Sequence, residues 1–399
     1  MTNRKYLETH PWIKFDLDLS KINFNFWFLL GAAQSKCKHI SSVPMRPEFA
    51  KSLYVINLAK GARATTAIEG NTLSLEQVRE QIENKLTLPK SKEYLGHEID
   101  NIVKAFNLVF NQEIEKHGDI PLCIDEIKQY NKLILNGLEN DGVSPGEIRT
   151  ASVVVGAYLG APAEDCGYLL EKLCNWINDV EYWRSLGEDK KIATGILKAM
   201  VIHLYFTWIH PFNDGNGRTA RLLEFKMLIE GGIPAAAAHL LSNYYNETRM
   251  RYYAELDRSS KANGQPEDFL YYALTGYVES LDQHIDEILK EQIRVAWDNY
   301  IHDRYKHSNG AKKRQRDLLL DISSARADNE EIYFTREEIY KYLSERLRKI
   351  YMTSSGKMFP RDLNAIVASG LLIREGKKFK PNRRLVAEAY ISSSIQIQQ

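Results

Sequence analysis

"HPFNDGNGRTAR" (His210–Arg221) gathers one imidazole, one carboxylate, two glycines around an asparagine and two arginines into twelve residues. It separates two segments that read as helices. "KKIATGILKAMVIHLYFTWIH" (Lys190–His210) is long and apolar and is stopped by Pro211. "GRTARLLEFKMLIEGG" (Gly217–Gly232) starts after a glycine-rich turn and ends at paired glycines. Glycines in the turn permit positive φ, so successive N–H groups can converge on an anion. The free N–H groups and dipole of the following helix add to that pull. Arg218 and Arg221, three apart, are expected on one side of the first helical turn, where forked donors suit phosphate oxygens. Asp214 offers a hard oxygen for Mg²⁺ shared with phosphates. His210 offers a base of near-neutral pKa. Base, metal ligand and phosphate cradle together predict attack of a hydroxyl on a nucleotide phosphate.

The rest of the chain sets the frame. Its 399 residues suffice for two or three domains; 44% are hydrophobic and 26% charged, which excludes a disordered or collagen-like chain. Cys37, Cys123, Cys166 and Cys174 form no CxxC pair, so reduced thiols in a cytoplasmic protein are expected. The apolar stretch Phe24–Ala33 is too short to span a bilayer and lacks a signal-peptide cleavage pattern, so no membrane association is expected. Charge is uneven: residues 301–399 carry 20 Lys+Arg against 12 Asp+Glu, and the first 300 carry 33 against 40. A separate basic module is expected at the C-terminus.

Most other segments also read as helix: Glu48–Gly70, Lys92–Gly118 and Asp125–Leu138 have helical apolar spacing. "EIRTASVVVGAYLGAPAED" (Glu147–Asp165) differs, because β-branched residues precede Gly156 and Pro162 closes it. A hairpin over Val153–Tyr158 is expected. His203, two turns before His210, has no carboxylate or histidine at i+4 and reads as a core histidine. Near the C-terminus, Thr335 and Glu338 form a capping box for "REEIYKYLSERL". A short helix follows in "PRDLNAIVASG" (Pro360–Gly370), and then a hairpin through Gly376. This order reads as a winged helix, suited to DNA phosphates or to protein contacts.

The opening stretch resembles the Fic family, whose signature HPFx[DE]GNGRxxR is matched at His210, Pro211, Phe212, Asp214, Gly215, Asn216, Gly217, Arg218 and Arg221. The resemblance implies transfer of AMP from ATP to a Ser, Thr or Tyr hydroxyl of a target protein, which could be the chain itself, with release of pyrophosphate. By position, His210 is the base and Asp214 the Mg²⁺ ligand. Gly215, Asn216 and Gly217 cradle the phosphates, Arg218 assists them, and Arg221 grips the γ-phosphate. Gly217 stands where the family's phosphorylating branch has lysine. "TTAIEGN" (Thr65–Asn71) resembles the family's inhibitory motif through Thr65, Glu69 and Gly70, which implies that Glu69 pairs with Arg221 and displaces the γ-phosphate. The hairpin then resembles the family flap, with Val155 and Gly156 near the nucleotide. "RMRYYAELDRSSKAN" (Arg249–Asn263) resembles the segment lining the adenine pocket, with Tyr252, Tyr253 and Asn263 as candidates.

The expected protein is mostly α: residues 1–104 a helical region with the inhibitory motif, 105–265 an all-helical Fic core with a hairpin flap, 266–309 a helical linker and 310–390 a winged helix. Its expected function is protein adenylylation restrained by Glu69, with ATP and Mg²⁺, and a homodimer is possible. Two alternatives stay open: removal of AMP by the same site, and a nucleotide-sensing regulator that binds DNA.

Overall fold

The structure, a computed structural model, describes residues 4–115, 121–138, 144–155, 158–184, 191–261, 264–325, 332–354 and 356–387. The chain forms two compact units, Met1–Ile285 and Asp286–Gln399. The N-terminal region and the core expected as separate domains therefore fall in one unit.

The first unit runs α1 (Tyr6–Thr9), α2 (Phe24–Ser42), α3 (Pro47–Ala67), α4 (Leu75–Ile82), α5 (Glu93–Glu115) and α6 (Ile124–Ile134). The antiparallel strands β1 (Val154–Val155) and β2 (Tyr158–Leu159) follow, with Val154 opposite Leu159. Then come α7 (Ala163–Asn178), α8 (Val180–Arg184), α9 (Lys191–Ile209), α10 (Asn216–Glu230), α11 (Ala235–Ala238), α12 (Leu240–Glu247) and α13 (Arg249–Ser260). Helix α14 (Pro266–Arg304) contains the division between the units.

Helices α9 and α10 form the centre, joined by the His210–Gly215 turn. Helix α9 is apolar all round and buried along nearly its whole length. By length and composition it could cross a membrane, yet here it is the core helix of the unit. Helices α2 and α7 pack on it, and α3, α5 and α6 pack on α10. The two central helices touch backbone to backbone at their far ends: a Cβ on Gly195 would lie 2.6 Å from the Gly231 Cα. A side chain at either position would wedge the pair apart.

The second unit contains α15 (Gly310–Ser324), β3 (Phe334–Thr335), α16 (Arg336–Tyr342), α17 (Glu345–Thr353), α18 (Met358–Ala368), β4 (Leu372–Glu375) and β5 (Lys378–Pro381). Its sheet has the order β3-β5-β4. The Thr335–Glu338 capping box forms as expected. The single helix expected over Arg336–Leu347 is instead broken: Leu343 is extended, and the Ser344 N–H and hydroxyl both donate to Asp321 of α15, at 2.7 and 2.8 Å. A tertiary carboxylate thus captures a backbone donor that helical periodicity alone assigns to the next turn. Asp362, fully buried, ties α18 to α15 and α17 by accepting both arms of Arg314 at 2.6 and 3.1 Å and the Tyr351 hydroxyl at 3.0 Å.

Gly195→Ala is expected to destabilise the first unit by about 1–3 kcal/mol, the usual range for overpacking a dense contact. Denaturant titration of the full chain measures this; an unchanged midpoint would mean that the helices separate without cost.

Candidate functional site

A cavity of about 720 Å³ opens beside the α9–α10 turn, lined among others by Glu69, Tyr158, His210, Asp214, Gly217, Arg221, Tyr252 and Tyr253. Such a volume suits a nucleotide-sized ligand.

The turn is held in shape from several sides. His210 still bonds its N–H to the Phe206 carbonyl at 2.9 Å, and then leaves the helix at φ +51°. A non-glycine residue pays of order 1 kcal/mol or more for that conformation. The Asn216 side chain closes the loop, accepting from the Phe212 N–H at 2.9 Å and donating to the Phe212 carbonyl at 2.7 Å. Its amide is therefore spent on the loop, and what remains of it for a ligand is backbone. Gly215 sits at φ +74° as the residue before α10, and a Cβ there would lie 2.8 Å from Asn131 Nδ2. Asn131, from α6, donates to the Asp214 carbonyl at 3.0 Å and accepts from the Gly146 N–H at 2.9 Å. Phe212 is buried and bridges to Ile148.

Arg218 and Arg221 diverge, contrary to the expectation that they share one side. Arg221 lines the cavity; Arg218 does not. The reason is a carboxylate on another helix: Glu98 of α5 accepts from Arg218 Nη1 at 3.0 Å, and Asp214 lies 3.4 Å from Nη2. Asp214 also accepts the Gly215 N–H at 2.6 Å, and its side chain remains 42% exposed.

Glu69 occupies the start of α10. Helix α3 ends at Ala67, and a turn ending at Gly70 (φ +108°) brings the Glu69 carboxylate to Arg221 Nη2 at 2.6 Å. Thr65 completes the clamp, its hydroxyl accepting from Arg221 Nε at 2.7 Å and its carbonyl from Nη2 at 2.9 Å. A Cβ on Gly217 would collide with Glu69 Oε1, so this glycine gives the carboxylate its seat against the helix N-terminus. Burial pushes the Glu69 carboxyl up, but the charge and hydrogen bond of Arg221, with Arg218 and Arg249 further off, outweigh it and hold the carboxyl below its usual range. The turn is tied down on both sides. Asn71 donates to the Leu95 carbonyl at 3.0 Å and to Glu98 at 2.8 Å, and Tyr253 donates to the Ile68 carbonyl at 3.3 Å.

The His210 imidazole is kept neutral. Burial, then the nearby Arg149 charge, lower its pKa to about 4, against the opposing pull of the Thr207 backbone and of the Glu69 and Asp214 charges. Tyr252 is buried and bonds through its hydroxyl to His203 Nε2 at 2.9 Å, while His203 Nδ1 lies 3.1 Å from Glu224 of α10. His203 thus has partners on two other elements, which spacing within its own helix could not reveal. Gly156 and Asn263 lie outside the described residues, as does the side chain of Val155. Glu98, Asn71, Asn131 and Arg149 went unnoticed in the sequence, because their roles depend on which helices become neighbours.

The Fic/DOC family matches residues 121–228. The protein adenylyltransferase fic-1 of Caenorhabditis elegans is 30% identical over 221 residues, spanning 55% of this chain and 40% of the relative. The protein adenylyltransferase Fic of Nematostella vectensis is 32% identical over 203 residues, 51% of this chain and 43% of the relative. The chain thus covers less than half the length of these relatives. Among solved structures, Fic-1 (residues 134–508) of C. elegans superposes with a TM-score of 0.53 at 25% identity, over 67% of this chain and 73% of that one. A Fic family protein from Desulfovibrio desulfuricans G20 shares the fold with a TM-score of 0.53 at 17% identity, over 91% and 97%. The match to the Fic/DOC family thus covers residues 121–228, and the relatives and structural neighbours named here are Fic proteins.

Proposed function

We propose that this chain transfers AMP from ATP to a hydroxyl of a protein, and that Glu69 restrains the transfer. The observation that carries the reading is the convergence of His210, Asp214 and the Glu69–Arg221 pair on one cavity. The reaction balances simply. The hydroxyl oxygen attacks the α-phosphorus, the bond to pyrophosphate breaks, and the hydroxyl proton passes to the neutral His210 imidazole. A Ser, Thr or Tyr side chain supplies such an oxygen. The 2-residue strand β1, with Val154 exposed beside the cavity, offers an edge for backbone pairing with the target segment.

Asp214 suits Mg²⁺ arriving with the nucleotide: one half-exposed carboxylate faces the cavity, and among the described residues no group of three metal-type ligands could hold an ion alone. Bound there, the ion would neutralise phosphate charge. Arg221 would answer the γ-phosphate with donors that Thr65 and Glu69 now occupy. The same ordered carboxylate favours a second use of the site, in which Glu69 steers water onto an AMP-modified protein.

A separate observation favours DNA as a partner of the second unit, whose order of elements fits a winged helix. Arg361 and Asn364 stand exposed on α18, with Lys357 exposed at its N-cap, and Arg374, Lys377 and Lys378 are exposed on the β4–β5 hairpin, whose β4 packs on α18. A helix with such side chains can read base edges while the hairpin contacts phosphates. Retention of the full chain on duplex DNA, weakened steeply by salt and by Arg361→Ala, is the expected result; binding indifferent to both would remove this reading.

Glu69→Gly is expected to raise AMP transfer about 30-fold, because a bias of about 2 kcal/mol toward the Glu69–Arg221 pair leaves only ~3% of molecules open to productive ATP. Labelling with α-phosphate-labelled ATP measures it. The gain should vanish in the double variant with His210→Ala. Transfer that falls in Glu69→Gly, with AMP-modified protein no longer cleared, would instead assign Glu69 to AMP removal.

The pH dependence carries a second expectation. An imidazole titrating at about 4 is already neutral at pH 6, so kcat/KM of the Glu69→Gly chain should stay flat from about pH 5.5 to 8 and fall only as His210 charges below that. The Glu69 charge raises the His210 pKa, so its removal moves the fall further toward acid. A decline centred near the ordinary histidine value of about 6.5 would contradict the buried, Arg149-flanked environment.

A further inference from the structure

We infer that Arg149 is a positioning residue for AMP transfer, joining the two feet of the β1–β2 hairpin to the backbone of His210 through one guanidinium. The inference rests on the transfer reading above.

Arg149 is 2% exposed, and among the described residues no carboxylate pairs with it. Its donors go to main-chain carbonyls. Nε donates to His210 at 2.7 Å, Nη1 to Ala151 at 2.8 Å, and Nη2 to Ala161 and, at 3.4 Å, to Ile209. Its own N–H donates to the Pro211 carbonyl at 3.0 Å. Ala151 and Ala161 flank the hairpin on either side; Ile209, His210 and Pro211 are the end of α9 and the start of the turn. A planar fork with several fixed donors is what can hold four carbonyls of separate segments at once.

Burying a full charge against dipoles alone is a poor route to stability, since no anion offsets its desolvation. The arrangement makes sense as geometry. The bond to the His210 carbonyl holds that residue in its left-handed conformation, which aims the imidazole into the cavity. The bonds at Ala151 and Ala161 set the hairpin, whose β1 edge is where a target segment would pair. Gly160 lets the pieces approach: a Cβ there would lie 3.0 Å from Arg149 Nη2 and 3.1 Å from His210 Cβ. Base and hairpin are therefore referenced to the same five-donor group, and a shift of one moves the other. The Arg149 charge also disfavours protonation of the imidazole, against the opposing charges of Glu69 and Asp214.

Arg149→Lys keeps the charge and loses the fork, and Gly160→Ala crowds the same joint without removing a donor or an acceptor. Both are made in the full chain carrying Glu69→Gly. Self-labelling at saturating ATP is expected to fall on the order of 100-fold in Arg149→Lys, as for a base misplaced by about 1 Å, and about 10-fold in Gly160→Ala. The ATP concentration giving half-maximal rate should stay within about twofold, because Arg149 does not line the cavity. Deuterium exchange should accelerate at 151–161 and 209–212 and match the parent elsewhere in the first unit. Labelling within about threefold of the parent, or exchange accelerated evenly across the unit, would overturn the inference. If the parent chain itself labels nothing, the transfer reading fails, and the locality of exchange still decides whether Arg149 joins hairpin and base.

Discussion

Arg221 is a guanidinium with 1% of its side chain exposed, set in the second turn of a buried helix. A charge in that position must be answered, since leaving it unpaired costs several kcal/mol. Thr65 and Glu69 answer it here with two oxygens of the α3 end and one carboxylate. The packing of α3 against α10, α11 and α12 exists to deliver those groups from over 150 residues away in sequence. A phosphate would answer the same charge. Arg221 thus holds an internal anion at the wall of the cavity.

The internal anion is held firmly. Asn71 and Glu98 secure the turn after Glu69 on one side, and Tyr253 and Arg249 hold the Ile68 and Ala67 carbonyls on the other. Tyr253 also lines the cavity, so its ring joins the cavity wall to the Glu69 turn. Glu98 continues the chain of contacts through Arg218 to Asp214. The candidate metal ligand and the Glu69 turn therefore lean on the same carboxylate. Burial raises the pKa of Glu98, which marks it as the member of this network whose charge is most costly to keep.

Much of this was legible in the sequence because it rests on local chemistry. The nine matched positions from His210 to Arg221 specify a helix end, a glycine-dependent turn and a helix start, each dictated by residues within a few positions. The Thr335 capping box is equally local, and the pairing near the hairpin expected over Val153–Tyr158 sets Val154 opposite Leu159. The Glu69–Arg221 contact came from resemblance alone; no spacing rule connects residues 152 apart.

What the sequence by itself determined is local: the helix end, the glycine-dependent turn and the helix start from His210 to Arg221, and the chemical groups gathered there. What only the tertiary structure decided is where each fork of charge points. Arg218 and Arg221 are equivalent by helical spacing, yet Glu98 draws one away and Glu69 takes the other. Helix α16 ends where Asp321 captures Ser344, and Arg149 reads from sequence as an ordinary charge before a strand. The physical reason is common to all three. A long side chain reaches several ångströms beyond its own element, so its partner is chosen by the neighbouring helix, and which helix becomes the neighbour is settled by packing of the apolar core.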